Sequence, residues 1–148
     1  MKTITIFLLA LVLNNSCDGQ TKRDLKNTVI EYSARTRGFS QVIVVKNQEI
    51  SIDTDSRGAK TSQAGKISDA DWKILITEFQ KLKLDQMKDL VAPSSKRSND
   101  AAAIGQLSVK YKDTMHNSNS FDNGNPPKAI SKFVNKITAI AKAIQKKQ

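Results

Sequence analysis

A single cysteine, Cys17, and a single histidine, His116, occur in the 148 residues. Zinc-thiolate sites and histidine-pair metal centres therefore have no donor set, and cysteine catalysis has no thiol outside the N-terminal segment. The six glycines form neither G-x-G-x-x-G nor G-x-x-x-x-G-K, so no glycine loop for cradling phosphates is indicated. No G-x-S-x-G marks a nucleophile elbow. Aromatic residues make up 5% of the chain and fall on apolar stripes, which leaves no stacking platform for bases and speaks against nucleic-acid binding. Acidic side chains are scarce too: 11 aspartates and three glutamates, mostly in turns and caps. Asp53 and Asp55 share a strand face, but without an apolar pocket to perturb them they read as solvated turn residues rather than an acid–base pair. His116 reads as a solvated residue of a polar edge strand. No catalytic constellation, metal site or cofactor is indicated.

What the chain does have is positive charge. Its 24 basic residues give a formal net charge of +10. Such a balance favours anionic partners. Because 19 of the 24 are lysines, and phosphate clamps lean toward arginine, the charge first describes a soluble, lysine-rich exported protein.

Export is indicated by the N-terminus, where Met1 and Lys2 precede an uncharged apolar run, Ile4 to Leu13, about half the length needed to cross a bilayer. Small polar residues and Cys17 follow at once. Ser16 suits the position before a lipidated cysteine, although Asn14 stands where an apolar residue is usual; the competing cut, after Gly19, would discard the cysteine. Lipidation at Cys17 is the favoured reading, because the lone cysteine lies where the apolar run ends and a polar segment begins. The organisation expected is an export signal over 1–17, a flexible tether over 18–27 and a single domain over 28–148.

Within that domain, "TVIEYSAR" alternates Ile30, Tyr32 and Ala34 against polar residues, as a half-buried strand does. "FSQVIVVK" reads as a more buried strand, and "NQ" turns it into "EISIDTD". Residues 56–66, "SRGAKTSQAGK", contain nothing apolar larger than alanine and read as a long mobile loop. Ser68 and Asp71 form a capping-box variant ahead of Trp72, Leu75, Ile76, Phe79 and Leu82 at helical spacing. "IGQLSVKY" is a strand and "MHNSNSF" a polar edge strand. "DNGNPP" breaks the chain before a final helix whose apolar stripe runs from Ile130 to Ile144 opposite Lys128, Lys132, Lys136, Lys142 and Lys146. The fold expected is α+β: an antiparallel sheet of about five strands, order βββα-ββα, with two helices on one face.

Four of the five arginines, Arg35, Arg37, Arg57 and Arg97, lie in or beside loops. Arg35 and Arg37 are placed to meet a carboxylate or phosphate together, unless Glu31, Asp100 or Asp122 pairs with them inside the protein. Asp122 is expected to accept backbone amides in a turn or cap. The lysine face of the last helix is a candidate for contact with anionic headgroups.

"EYSARTRGF", "APSSKRSNDAAA" and "FDNGNPPKAISKFVNKI" together resemble a group of small exported proteins or lipoproteins of Bacteroidota-type bacteria. The most specific part is F-D-x-G-x-P-P, matched by Phe121, Asp122, Gly124, Pro126 and Pro127. The resemblance implies an envelope location and supplies no catalytic residues. The expectation is an envelope-anchored, non-enzymatic binding module, held to the membrane by its lipid and contacting another envelope protein. The alternatives are a secreted inhibitor-like protein that occludes a partner with its sheet and the loops at 35–38 and 56–66, and an anionic-surface binder using Lys128, Lys132 and Lys136. Arg35, Arg37 and Arg97 are the further candidate contacts.

Overall fold

The computed structural model of the protein describes residues 23–147. Four strands open the domain: β1 (Val29–Thr36), β2 (Phe39–Lys46), β3 (Glu49–Ser56) and β4 (Ala59–Lys66). Helix α1 (Asp69–Lys81) follows, then a short 3-10 helix over Leu84–Asp89 and another over Lys96–Asn99. Strands β5 (Ile104–Tyr111), β6 (Thr114–Asn117) and β7 (Phe121–Asp122) lead to helix α2 (Lys128–Gln145). All pairings are antiparallel, and the strand order is β4-β3-β2-β1-β5-β6, with β7 also on β5. The α+β class is as expected; the sheet is larger.

Registry sorts the side chains into two faces. Ile50, Val45, Ile30 and Val109 align across β3, β2, β1 and β5, and Ile52, Ile43, Tyr32 and Leu107 form the next row. All eight are buried in one cluster with Leu75 and Phe79 of α1 and Ile130, Phe133, Val134, Ile137 and Ala141 of α2. Both helices thus lie on the same face of the sheet, as expected. The other face stays open. Its middle rows read Ala64, Ser51, Val44, Glu31 and Ser108, then Ser62, Asp53, Val42, Ser33 and Gln106. Strand β2 is accordingly covered on one side only, and is not the more buried strand that its β-branched run suggested.

Segment 56–66 is the main correction. Rather than a mobile loop, it turns at Arg57 and Gly58, with φ of +52° and +89°, and returns as β4 in full register with β3. Positive φ at both central residues is what a type I′ hairpin turn requires. The Asp55 carboxylate accepts the Gly58 amide at 2.9 Å. Strand β4 holds by its backbone ladder at the sheet edge, where no apolar side chain is needed except that Gly65 faces Ile144, 3.2 Å from where a Cβ would stand. With β4 the meander has four strands, and with the two-residue β7 the sheet has seven.

The expected tether ends earlier than Asn27. Leu25 is buried in the core, and the Arg23 guanidinium donates to the carbonyls of Gln80 (2.9 Å) and Leu82 (2.5 Å) while lying 5.5 Å over the Phe79 ring. The chain is docked from Arg23 onward; Cys17, the export signal and residues 18–22 lie outside the described residues.

Helix α1 begins as its capping box dictates. The Ser68 hydroxyl accepts the Asp71 amide at 3.1 Å and donates to the Asp71 carboxylate at 2.8 Å. In α2 the prolines stand just before the first turn, with Pro127 as the N-cap.

Candidate functional site

The two Arg-Gly hairpin turns touch. The Arg57 amide donates to the Gly38 carbonyl at 2.8 Å, so the β1–β2 and β3–β4 tips are held side by side. Gly38 has φ of +77°, which a side chain would resist. On the open face the last row before the tips reads Lys60, Asp55, Ser40, Arg35 and Ile104 across β4, β3, β2, β1 and β5. Arg35, Arg37 and Arg57 are all exposed and none makes an ion pair among the described residues. Internal pairing of Arg35 or Arg37 with Glu31, Asp100 or Asp122 is therefore absent there. The sequence places Arg35 and Arg37 together; Arg57 and Lys60 join them only through the β3–β4 hairpin. A signal was available, since "TRGF" and "SRGA" carry the same Arg-Gly pair 20 positions apart.

Arg97 has a different fate. It ion-pairs with Asp122 at 3.1 Å and donates to the Ser94 carbonyl at 2.6 Å. Asp122 is buried and accepts the Ser94 hydroxyl (2.5 Å) and the amides of Lys96 (2.8 Å) and Arg97 (2.9 Å). Burial pushes its carboxyl up, but the Ser94 hydroxyl, the two amides and the guanidinium outweigh burial and hold it well below the usual carboxylate range. Asp122 does accept backbone amides as expected, and it caps the 3-10 helix over Lys96–Asn99 from 25 residues away. Arg97 is thereby spent on structure.

The rest of the F-D-x-G-x-P-P string is also structural. Phe121 is buried against Tyr32, ring centroids 6.2 Å apart. Gly124, at φ +87°, aims its amide at the Tyr32 hydroxyl, which donates to Asn123 Oδ1 at 2.6 Å. Burial pushes the Tyr32 hydroxyl up to about 12, against the lowering effect of the Gly124 amide. Pro126 and Pro127 are buried and lead directly into α2.

Along α2, Lys128 and Lys132 are exposed. Lys136 is not free: its ammonium meets Asp71 of α1 at 2.6 Å. That contact, together with the Ser68 hydroxyl, lowers the Asp71 carboxyl below its ordinary value. The lysine face is therefore interrupted by a bond between helices. His116 is half-buried, with Nδ1 3.4 Å from Asp85 Oδ1, rather than solvated. Among the described residues no three of His, Cys, Asp and Glu cluster as metal ligands, and no helix is long and apolar enough to cross a membrane.

Comparison with protein-family models, with curated proteins and with solved structures finds no match for this chain.

Proposed function

We propose that the protein is a non-enzymatic binding module of the bacterial envelope, anchored by lipid at Cys17, whose arginine-tipped hairpins engage an acidic patch on another envelope protein. One observation carries this reading. Of five arginines, Arg23 and Arg97 are consumed by carbonyls and a carboxylate of the domain, while Arg35, Arg37 and Arg57 converge on one end of the sheet without an ion-pair partner among the described residues. Arginine presents several donors in a planar fork that suits carboxylates, and that rigid plane lowers the freedom lost per hydrogen bond formed.

Position supports the same reading. The docked segment at Arg23–Asn27 enters at the start of β1, and eight residues of strand, about 25 Å, separate it from the tips. A chain tethered through its N-terminus would hold the arginines away from the membrane. The open face behind them carries short and hydroxyl side chains together with Glu31 and Asp53 in its middle rows, so a partner reaching beyond the tips meets both signs of charge. The anchor is tested by the intact mass of the mature protein: an acylated chain beginning at Cys17 is expected, and an unmodified chain beginning at Gln20 would contradict it. The contact is tested by the triple reversal R35E/R37E/R57E, which should weaken partner binding by roughly tenfold or more and leave the circular dichroism unchanged. Undiminished binding by the folded variant would contradict the reading.

A further inference from the structure

The opposite pole of the sheet holds a different feature. Val29 opens β1 and pairs with Lys46 on β2 and Lys110 on β5, so these two lysines flank it on the open face, their backbones about 10 Å apart. Lys112, in the β5–β6 turn, sits beside Tyr111 with its ammonium 5.5 Å from the ring centroid. The three lysines line a cavity of about 480 Å³, with Asp24 and Asp113 also in its wall. None of the three makes an ion pair among the described residues. Asp24 already accepts the Lys26 amide at 2.8 Å.

We propose that this cavity binds a phosphodiester. The three lysines and two aspartates of the wall leave one net positive charge, which the single negative charge of a phosphodiester is enough to neutralise. Lysine ammoniums bind a phosphate group as point charges, each able to meet a different oxygen. The cavity is also larger than a bare anion needs, so the ester substituents have room. Its wall includes Asp24, and only five residues separate Arg23 from Cys17, a span of at most about 20 Å when fully extended. Anchoring at Cys17 would thus bring the cavity to the headgroup layer, and phospholipid headgroups are phosphodiesters. That last step rests on the anchoring reading; the phosphodiester chemistry does not.

The test uses the full chain carrying Cys17→Ala, which bears no acyl group. Titration with glycerophosphoglycerol, followed by amide shifts, should move Val29, Lys46 and Lys110 saturably. Lys46→Gln and Lys110→Gln should each weaken the apparent affinity about fivefold without changing the thermal midpoint. Vesicles of phosphatidylglycerol that bind with the same lysine dependence would identify lipid as the source. Saturable binding of the soluble diester without vesicle binding would identify a free ligand. Absence of shifts around the cavity, or shifts indifferent to both lysine substitutions, would overturn the proposal. Inorganic phosphate binding more tightly than the diester would overturn its charge argument. An unmodified Cys17 in the mass spectrum would remove the membrane source alone.

Discussion

Gly105 sits beneath the Phe121 ring because nothing larger fits: a Cβ there would lie 2.9 Å from Phe121 Cε2 and 3.0 Å from Tyr32 Oη. Gly105→Ala should cost about 1–3 kcal/mol, read as a lowered denaturant midpoint with unchanged slope. The neighbouring Tyr32 hydroxyl gives a pH signature. Its pKa is raised from 10.0 to about 12, so the folded state keeps a proton that the unfolded chain loses. Stability is then fully present below pH 10 and falls as pH rises from 10 toward 12, by about 2–3 kcal/mol at most. Tyr32→Phe should flatten that slope in urea unfolding, while losing about 1–2 kcal/mol at neutral pH because Asn123 and the Gly124 amide lose their partner. Asp122 has the opposite sign: its pKa is depressed, so its contribution is present above the ordinary value of 3.8 and is lost as pH falls below it. Asp122→Asn should remove that part of the acid unfolding slope. Its amide-accepting role was legible from an aspartate in a breaker cluster. Which amides it accepts was not, because Lys96 and Arg97 reach it only through the tertiary fold.

Elements were legible in proportion to the apolar side chains they bury. Helix α2 repeats its apolar residues at helical spacing and stands where expected; β1, β3 and β5 alternate and do likewise. Strand β4 has no such pattern, since this edge is held chiefly by its backbone hydrogen bonds and meets α2 at Gly65, which has no side chain to show in a pattern, and a polar sequence there looks like a loop. Strand β7 is only two residues long and hides in the turn chemistry of its own asparagines and prolines. Hydrogen exchange separates the two descriptions of 56–66. Amides of β4 that bond to β3 should exchange much more slowly than those at the Arg57–Gly58 tip, whereas a mobile segment would exchange uniformly fast. Loss of β4 would also release Arg57 from the Gly38 carbonyl and scatter the arginines, so the edge strand and the candidate site stand together.

At the scale of the whole molecule, charge is sorted by pole. Arg35, Arg37 and Arg57 gather at the hairpin tips, and lysines of β2, β5 and the β5–β6 turn line a cavity beside the N-terminal entry. Neither grouping is visible in net charge, because strand pairing brings together residues 20 or more positions apart in the chain. Helix α2 adds less free positive charge than its sequence suggests, given the bond from Lys136 to Asp71. Partner binding at the tips should weaken steeply with salt, as exposed charges screened over about 10 Å at 0.1 M do. The most direct measurement places a photo-crosslinking residue at Thr36, between Arg35 and Arg37, in the full chain within the cells that make it. A discrete protein adduct is expected, joined to a peptide rich in aspartate and glutamate and lost when Arg57 on the neighbouring hairpin is changed to Glu. No discrete adduct from Thr36, or one that survives Arg57→Glu, would contradict a binding function at the arginine tips.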